Sequence, residues 1–472
     1  MIPLSLKEIA EITGGRTHHA TGDEVVTGGV EFDSREITPG GLFVALPGER
    51  VDGHDFAGTA INAGAVAVLA AREVDAPAVI VPPVADAPSR SVALTGDTDG
   101  SGAAVLAGLA GLAAQVADRL IANGLTVVGV TGSSGKTSTK DLLAQVLEPM
   151  GQTVAPPGSF NNELGHPWTV LRADAATKYL VLELSARGPG HIAALCAVAR
   201  PKIGIVLNVG TAHLGEFGSR EEIARTKGEL VEALPEDGLA ILNADDPVVA
   251  AMASRTSARV LNVGRDIRAE NVTLDDQARA SFRMVTPHGA APVTLALHGE
   301  HHVGNALAVA AVGLELGAGV EEVAARLGTA RRRSARRMDV TTRADGVTVV
   351  NDSFNANPES MAAALRSLAA FAGQRRRSWA VLGLMGELGA AHDAKHEEIG
   401  RLAESLGVDR LVVVDELAKP MLAGAKGELV PDVGAAVELL RQQLQPGDVV
   451  LVKASKVAAL WRVADALLEG SE

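Results

Sequence analysis

The stretch from Val127 to Leu143, VVGVTGSSGKTSTKDLL, constrains this chain more than any other part of its sequence. The apolar, β-branched run 125–130 predicts a strand that is buried on both faces. Gly132 and Gly135 then bracket two serines, so the backbone can turn tightly and direct consecutive N–H groups inward. Apolar residues between 142 and 147 fall on one side of a predicted helix. A helix that begins directly after a glycine turn is a ready anion site.

This turn departs from the usual phosphate-loop pattern, G-x-x-x-x-G-K-[ST], because Val130 stands where the pattern has its first glycine. We interpret the difference as a shortened loop; the alternative is an ordinary strand-to-helix turn that contains Gly-Lys. Lys136 offers a charge for the outer phosphates of a nucleotide, and Thr137 offers a hydroxyl for Mg²⁺. The loop residues of the predicted nucleotide site are Gly132, Ser133, Ser134, Gly135, Lys136, Thr137 and Ser138.

Length, charge and cysteine content limit the class of protein. A chain of 472 residues with 47% apolar residues predicts two to four domains with sizeable cores. The net charge of −14 argues against general nucleic-acid binding, and the arginine-rich runs 331–337 and 375–377 are expected to be solvated surface or linker. The single cysteine, Cys196, excludes an internal disulfide and fits a reducing compartment. Its apolar neighbours indicate a packed thiol.

Targeting signals are not expected. The first residues, MIPLSLKEIAEITGG, lack a basic start and a continuous apolar region, so we expect no signal peptide. No apolar stretch reaches membrane-spanning length without glycine or charge. The sequence therefore predicts a cytoplasmic protein without stable membrane insertion.

Apolar runs alternate with helical patterns through most of the chain, which predicts an α/β fold with parallel sheets covered by helices on both faces. We expect four segments: a block of short strands at 1–98, a connector helix within 99–123, a central domain at 124–332 and a C-terminal domain at 333–472. The arginine-rich segment near 331–337 is the predicted hinge. The predicted strands of the last two domains are 127–130, 179–184, 203–209, 239–242, 347–350, 380–384, 411–414 and 449–452.

Polar residues follow several of these strands, at the edge where α/β sheets bind ligands. Glu183 ends one strand, where a carboxylate suits a Mg²⁺ ion that bridges nucleotide phosphates; a structural ion pair is the alternative. His213 follows the next strand and is a candidate ligand at the mouth of the sheet, with a purely structural histidine as the alternative. Asn305 lies near the start of an apolar helix, where an N-cap role is the alternative to a binding role.

One lysine lies in an unexpected place. Ser219 and Glu222 form a capping-box pattern that predicts the start of a helix. Lys227 falls in the middle of the apolar stripe of that helix. On the residues alone, the alternative is snorkelling, with the alkyl stem on the core and the ammonium in water.

Several motifs together resemble those of the Mur ligases of peptidoglycan synthesis, over nearly the full length of the chain. The family has the same shortened loop, here TGSSGKTST. The other matching stretches are FDSREITPGGLFVALPGERVDGHDF, GSFNNELGHPWTVLRA, NVGTAHLGEFGS, TKGEL, NDSFNANPESM and GELG. Within the family, they are most similar to the members that add D-alanyl-D-alanine. NANP in place of an arginine-bearing motif argues against the members that add diaminopimelate or lysine, which stay as an alternative. A non-catalytic, nucleotide-gated interaction protein is a further alternative.

The resemblance implies a three-domain ligase: a UDP-substrate domain, a central ATPase domain with the phosphate loop, and a Rossmann-like C-terminal domain that closes over the site. ATP would phosphorylate the terminal carboxylate of UDP-N-acetylmuramoyl-tripeptide. The amine of D-Ala-D-Ala would then attack the acyl phosphate. This reaction is the last cytoplasmic amino-acid addition to the peptidoglycan precursor. We expect a monomer that uses ATP and Mg²⁺ and binds no nucleic acid.

The resemblance also implies roles for individual residues. Lys136 and Arg337 would neutralise charge on the transferring phosphoryl group, and Thr137 with Glu183 would hold one Mg²⁺ ion. His213 and Lys227 would serve a second Mg²⁺ ion, with Lys227 carbamylated by CO₂. The remaining expected contacts are Asn305 with adenine, Asp352 with ribose, Asp33, Ser34 and Arg35 with the uridine nucleotide, Asn161 and Asn162 with the nucleotide sugar, and Asn355 and Asn357 with the dipeptide.

Overall fold

The computed structural model of the protein describes residues 1–48, 51–84, 94 and 97–469. Glu49 and Arg50 of the motif at 32–56, and residues 85–93 and 95–96 before the predicted boundary at 98, lie outside the described residues. Three sheet-based units follow one another along the chain, which confirms the predicted three-domain α/β architecture.

The N-terminal unit contains a five-stranded sheet in the order β2-β7-β6-β5-β4, and β1 pairs separately with β3. In the larger sheet, β2 is antiparallel to its neighbour and the other pairs are parallel. Its strands are β1 (Leu4–Ser5), β2 (Arg16–His18), β3 (Val25–Val26), β4 (Val30–Glu31), β5 (Leu42–Val44), β6 (Ala67–Ala70) and β7 (Ala78–Ile80), and its helices are α1 (Leu6–Thr13) and α2 (Ala57–Asn62).

The connector is helix α3 (Ser101–Ala122), which lies within the predicted range 99–123. Within the described residues, α3 alone is long and apolar enough to cross a membrane, and 56% of its most apolar stretch is buried inside the protein. Leu109, Leu112 and Val116 belong to one hydrophobic cluster that runs from the N-terminal unit into the central one. The apolar character of α3 is therefore that of a core helix joining two domains.

The central unit is a six-stranded parallel sheet in the order β13-β12-β11-β8-β10-β9. Every residue of β8 from 127 to 131 is buried, as its uninterrupted apolar sequence predicts. Its strands are β8 (Thr126–Thr131), β9 (Thr153–Val154), β10 (Tyr179–Glu183), β11 (Ile203–Val206), β12 (Leu239–Asn243) and β13 (Arg259–Val263). Its helices are α4 (Lys136–Leu147), α5 (Gly165–Val170), α6 (His191–Val198), α7 (Leu214–Phe217), α8 (Arg220–Glu232), α9 (Pro247–Ala250), α10 (His302–Glu315) and α11 (Val320–Thr329).

A three-stranded antiparallel sheet interrupts the parallel pattern of the central unit: β14 (Arg268–Leu274), β15 (Arg279–Thr286) and β16 (Gly289–His298). The search for continuous apolar runs missed these strands because only one face of the sheet is buried. Ala280, Phe282 and Met284 point into the core, while the residues between them are less buried. The alternation of buried and less buried residues with a period of two is the pattern that predicts such strands.

The C-terminal unit has six strands in the order β17-β18-β22-β19-β20-β21, with β17 antiparallel to β18 and the other pairs parallel. Each apolar run predicted in the last two domains is a strand, and most boundaries differ by one or two residues. The strands are β17 (Asp339–Thr342), β18 (Thr348–Asn351), β19 (Ser378–Leu382), β20 (Arg410–Val414), β21 (Glu428–Val430) and β22 (Val449–Lys453), and the helices are α12 (Pro358–Ala372), α13 (His392–Ser405), α14 (Val433–Gln443) and α15 (Trp461–Leu468).

Candidate functional site

A cavity of about 570 Å³ lies where the carboxyl ends of the central strands face the carboxyl ends of the C-terminal strands. The cavity lies there because parallel pairing brings the carboxyl ends of separate strands to the same edge of each sheet. The predicted site residues that line it are Ser133 to Ser138, Asn161, Asn162, Glu183, His213, Asn305, Arg337, Asp352, Asn355 and Asn357. Gly132, Lys227, Asp33, Ser34 and Arg35 lie outside this lining.

Neighbouring side chains hold the backbone of the glycine-rich turn in position. Gly135 has a left-handed backbone (φ 82°), and a Cβ there would lie 2.9 Å from the side-chain oxygen of Asn305. The Ser134 N–H donates to the side-chain oxygen of Asn208 over 2.9 Å. The ammonium of Lys136 donates to the carbonyl of Gly132 over 2.7 Å, and burial lowers the pKa of Lys136. Helix α4 begins at Lys136, so its first N–H groups open into the cavity.

Thr137 and Glu183 meet on the floor of the cavity. The Thr137 hydroxyl donates to the Glu183 carboxylate over 3.0 Å, and the Asn161 amide donates to the other carboxylate oxygen over 2.6 Å. The Ser159 hydroxyl lies 3.3 Å from the same oxygen as Asn161. Thr137, Ser159 and Asn161 are neutral donors, so hydrogen bonds hold Glu183, while the charges of Lys136 and Arg337 also act on it. Hydroxyl and carboxylate oxygens are the ligands that Mg²⁺ takes.

Arg337 enters this floor from the start of the C-terminal unit. Its guanidinium donates to the Thr137 hydroxyl over 3.1 Å and lies 4.1 Å from the ring centre of Phe354. Its Nε is buried without a protein partner, and burial lowers the pKa of the guanidinium. A buried cation with an unused donor fits an anionic ligand.

His213 lies at the far side of the cavity with a left-handed backbone (φ 60°). Its Nδ1 contacts the Glu387 carboxylate, and this hydrogen bond lowers the pKa of Glu387. Together with Glu216, these two residues offer three ligand atoms within 4.8 Å of one another. The guanidinium of Arg187 already lies 3.6 Å from Glu216 and 3.4 Å from Glu387, and so balances part of their charge.

Lys227 is buried in α8, below the cavity wall. The Ser219 hydroxyl accepts from the Glu222 N–H over 3.2 Å and caps this helix, as predicted. Only 5% of Lys227 is exposed, and no described side chain pairs with its amine. Burial, and then the charge of Lys136, hold the pKa of Lys227 well below its ordinary value. The snorkelling alternative is therefore wrong: the amine is buried and favours the neutral form.

Asn305 is the fourth residue of α10, and His301 occupies the N-cap position, so the N-cap alternative is wrong. The side chain of Asn305 is buried and lies 3.4 Å from the Nδ1 of His302. A second, smaller hollow continues from the main cavity past Asn305 between α10 and the ends of β11 and β12. Asn305 therefore separates the phosphate loop from a lateral recess.

Asp352 is neutralised by Lys453, a residue that sequence reasoning missed. The Lys453 ammonium lies 2.7 Å from one Asp352 oxygen, and the Met338 N–H donates to the other over 3.1 Å. Lys453 also donates to the carbonyl of Asn355 over 2.9 Å. Lys453 could have been predicted as a site residue, because it directly follows the predicted strand 449–452 at its carboxyl end. Ser159 and Glu387 line the cavity and were missed as well.

The loop 33–35 stands apart from the cavity. The Asp33 carboxylate pairs with Arg35 through contacts of 2.9 and 2.6 Å, which lower the pKa of Asp33 to about 2. The preceding Phe32 packs against the rings of Phe160 and Trp168, with centroids 6.1 and 5.7 Å apart. The loop therefore adjoins the segment that carries Asn161 and Asn162 into the cavity.

Three family models match this chain, each over a different part. They describe the Mur ligase family catalytic domain at residues 27–93, the Mur ligase middle domain at 130–313 and the Mur ligase glutamate ligase domain at 336–456. The described residues of these segments fall within the three units of the fold.

Full-length relatives carry the same name in several bacteria. The UDP-N-acetylmuramoyl-tripeptide--D-alanyl-D-alanine ligase of Mycobacterium tuberculosis is 56% identical over 99% of this chain and 98% of its own. The ligase of that name from Escherichia coli is 35% identical over 99% of both chains.

Solved structures of MurF from two bacteria are similar in fold to this chain. A crystal structure of MurF from Acinetobacter baumannii superimposes with a TM-score of 0.86 at 30% identity over 99% of both chains. MurF from Thermotoga maritima in complex with ADP has a TM-score of 0.78 at 30% identity, over 93% of this chain and 97% of its own. The chain belongs to the Mur ligase family.

Proposed function

We propose that this chain catalyses the ATP-dependent ligation of D-alanyl-D-alanine to UDP-N-acetylmuramoyl-tripeptide, forming ADP and phosphate. This is the last cytoplasmic amino-acid addition in peptidoglycan precursor synthesis. One observation carries the proposal: the phosphate loop, the Thr137–Glu183 pair and Arg337 converge on one cavity that the C-terminal unit closes with Asn355 and Asn357. The names of the full-length relatives support the choice of substrates.

In this proposal ATP lies along the loop. The backbone N–H groups from Gly132 to Ser138 surround its phosphates, and Lys136 and Arg337 neutralise the charge that spreads over the transferring phosphoryl group. Asn305 contacts adenine in the lateral recess, and Asp352 accepts from the ribose. The Lys453 contact supports the second assignment, because it holds the Asp352 carboxylate in position.

The residues present fit Mg²⁺. Thr137 and Glu183 supply a hydroxyl and a carboxylate 3.0 Å apart beside the loop, and the pairing of Glu183 with neutral donors leaves its charge available. We assign a first Mg²⁺ ion to this pair and a second to His213 with a carbamylated Lys227. The ions would lower the repulsion between the phosphates and the substrate carboxylate.

Carbamylation of Lys227 requires a neutral amine whose lone pair attacks the carbon of CO₂; one N–C bond forms and one proton is released. The burial of Lys227 and its depressed pKa supply the neutral amine. The product is an anion, which lies near the charge of Lys136 and creates a metal ligand.

The chemistry proceeds in two steps. The terminal carboxylate of the tripeptide attacks the γ-phosphorus of ATP, which breaks the bond to the leaving ADP and yields an acyl phosphate. The free amine of D-Ala-D-Ala then attacks the acyl carbon, and phosphate leaves the tetrahedral intermediate. Arg337 and Lys136, which both line the cavity, stabilise the negative charge in the first step.

The substrate ends are assigned to different domains. Residues 1–98 bind the UDP moiety through Asp33, Ser34 and Arg35, the helix within 99–123 connects, residues 124–332 bind ATP, and residues 333–472 close over the site. Asn161 and Asn162 lie near the nucleotide sugar, and Asn355 and Asn357 lie beside the dipeptide. We propose that the enzyme acts as a monomer. We place the enzyme in the cytoplasm, where its precursor substrates are made.

An assay of ADP release with defined UDP-N-acetylmuramoyl peptides tests the proposal. We expect turnover only with a tripeptide acceptor and D-Ala-D-Ala, and oxygen-18 placed in the tripeptide carboxylate should appear in the released phosphate. Turnover of the dipeptide acceptor with diaminopimelate or lysine would instead assign the chain to that branch of the family. ATP binding without turnover would identify a nucleotide-gated interaction protein.

A further inference from the structure

The interdomain linker 331–337 is fastened to the phosphate-loop helix α4 by polar side chains. The Gln145 side chain donates to the carbonyl of Arg331 over 2.7 Å and accepts from the N–H of the same residue over 2.9 Å. A side-chain amide that satisfies both backbone groups of one residue fixes that residue in position and orientation.

Two further contacts continue along the same helix. The N–H of Ser334 donates over 2.9 Å to the buried carboxylate of Asp141, which also pairs with Lys140. The guanidinium of Arg333 contacts both carboxylate oxygens of Glu148 at the end of α4, at 2.5 and 2.6 Å. The arginine-rich run expected to be solvated surface or linker is therefore a linker with defined partners.

The four partners on α4 form one stripe. Thr137, Asp141, Gln145 and Glu148 follow one another at spacings of four, four and three residues, so they share one helix face. Three of these contacts run antiparallel to the stripe, with Arg331 at Gln145, Ser334 at Asp141 and Arg337 at Thr137. The side chain of Arg333 reaches back past Gln145 to Glu148. The linker advances three residues for each four on the helix, a rise of about 6 Å.

The backbone around Arg337 is strained. Its two neighbours, Arg336 and Met338, have left-handed φ angles of 59° and 50°. Such a conformation is strained for a residue with a side chain, and persists only where the surroundings impose it. The contacts on α4 are the part of the surroundings that fixes the linker immediately before this strained segment.

We propose that Asp141, Gln145 and Glu148 are positioning residues that set the register of the linker, so that the guanidinium of Arg337 reaches Thr137 and the transferring phosphoryl group. The proposal rests on the function proposed above. It explains why a residue at the start of the C-terminal unit lies accurately on the phosphate loop: one helix carries both the loop residue Thr137 and the side chains that hold the linker. A one-residue slip would move Arg337 off the cavity floor.

The test uses the double variant Gln145→Ala/Glu148→Ala, which releases the linker on its exposed side and leaves the buried Asp141 in place. The control is Gln442→Ala, which removes an exposed helical glutamine whose amide donates to Glu438. Phosphate release is measured with UDP-N-acetylmuramoyl-tripeptide, D-Ala-D-Ala and ATP. We expect kcat to fall about tenfold, as for a small misplacement of a catalytic group, with KM for ATP nearly unchanged.

A double-mutant cycle with Arg337→Lys separates positioning from general stability. If Gln145 and Glu148 act through Arg337, the double variant Gln145→Ala/Glu148→Ala should lower kcat less than about twofold when Arg337 is already replaced by lysine. An equal fall in both backgrounds, or no fall in either, would overturn the proposal. Gln145→Glu, which keeps the acceptor for the Arg331 N–H, should recover part of the rate. Absence of turnover in the wild type and in Gln442→Ala would instead count against the proposed function.

Discussion

Asn357 of the C-terminal unit donates its side-chain amide to the carbonyl oxygen of Ser133, in the middle of the phosphate loop, over 3.2 Å. The same side chain caps α12 by accepting from the N–H of Ser360 over 2.8 Å. At the second residue of that helix, the Glu359 carboxylate accepts from the N–H and hydroxyl of Thr211, over 2.7 and 3.0 Å. The start of α12 therefore contacts two loops of the central unit.

The Asn357 contact predicts a separable effect on activity. Asn357→Ser keeps a good helix cap but has no amide that reaches Ser133. We expect kcat/KM to fall about tenfold, the effect of losing one hydrogen bond between domains, with little change in Tm. Asn357→Ala should lower Tm as well, because it removes the cap. Equal activity of Asn357→Ser and wild type would show that this contact does not contribute to closure.

Lys136 is expected to act through charge. Lys136→Ala removes the ammonium that now contacts Gly132 but no apolar packing, so thermal stability should change little. We expect turnover to fall by about 100-fold or more, the range for losing one donor to a transition-state oxyanion. The measurements are ADP release and Tm. Near-normal turnover would contradict the ATP-site assignment, whereas a large fall in Tm would assign Lys136 a structural role.

Lys227 is expected to act as a carbamate. Lys227→Ala should lose most activity, and formate or acetate should restore part of it by placing a carboxylate where the carbamate was. The control is Lys136→Ala, whose missing group is a cation that no carboxylate can replace. Rescue of both variants to the same extent would show that the effect is not specific to Lys227.

A spectroscopic readout tests the modification independently of turnover. Wild-type protein in ¹³C-bicarbonate should show a carbamate carbon resonance that is lost in Lys227→Ala. The signal should weaken as the pH falls, because protonation of the amine competes with CO₂. A wild type with no such resonance in the presence of Mg²⁺ and nucleotide would contradict carbamylation.

His166 is expected to make stability depend on pH. Burial lowers the pKa of His166 from 6.5 to about 4. As the pH falls below 6.5, the unfolded chain binds a proton at this site while the folded chain does not. The stabilisation is therefore complete above 6.5 and is lost progressively toward 4. Between about pH 7.5 and about pH 5 the loss is about 2 kcal/mol.

The variant His166→Gln isolates this contribution from the other titrating groups. We expect the Tm of the wild type to drop several degrees more than that of the variant over the same pH interval. Parallel Tm curves for the two proteins would show that His166 is protonated equally in the folded and unfolded states.

The sequence by itself determined the phosphate loop and the four interior strands of each large sheet, while the edge strands β9, β13, β17 and β21 were not predicted. A strand buried on both faces must be apolar throughout, so the runs around Val128, Leu182 and Leu451 were visible without neighbours. Gly135 was also visible, because a left-handed turn before a helix favours glycine. The half-buried sheet at 268–298 was missed, since its alternating pattern carries fewer apolar residues.

Only the tertiary structure decided which polar residues share the site. Glu183 and Thr137 lie 46 positions apart in the chain, Lys453 and Asp352 lie 101 apart, and Arg337 and Thr137 lie 200 apart. No local pattern encodes these distances, because they depend on strand order and on how the linker packs against α4. The burial of Lys227 was also decided by the tertiary structure, because the sequence around this residue fits a solvated lysine equally well. Burial is a property of everything packed around the amine, and burial sets its pKa.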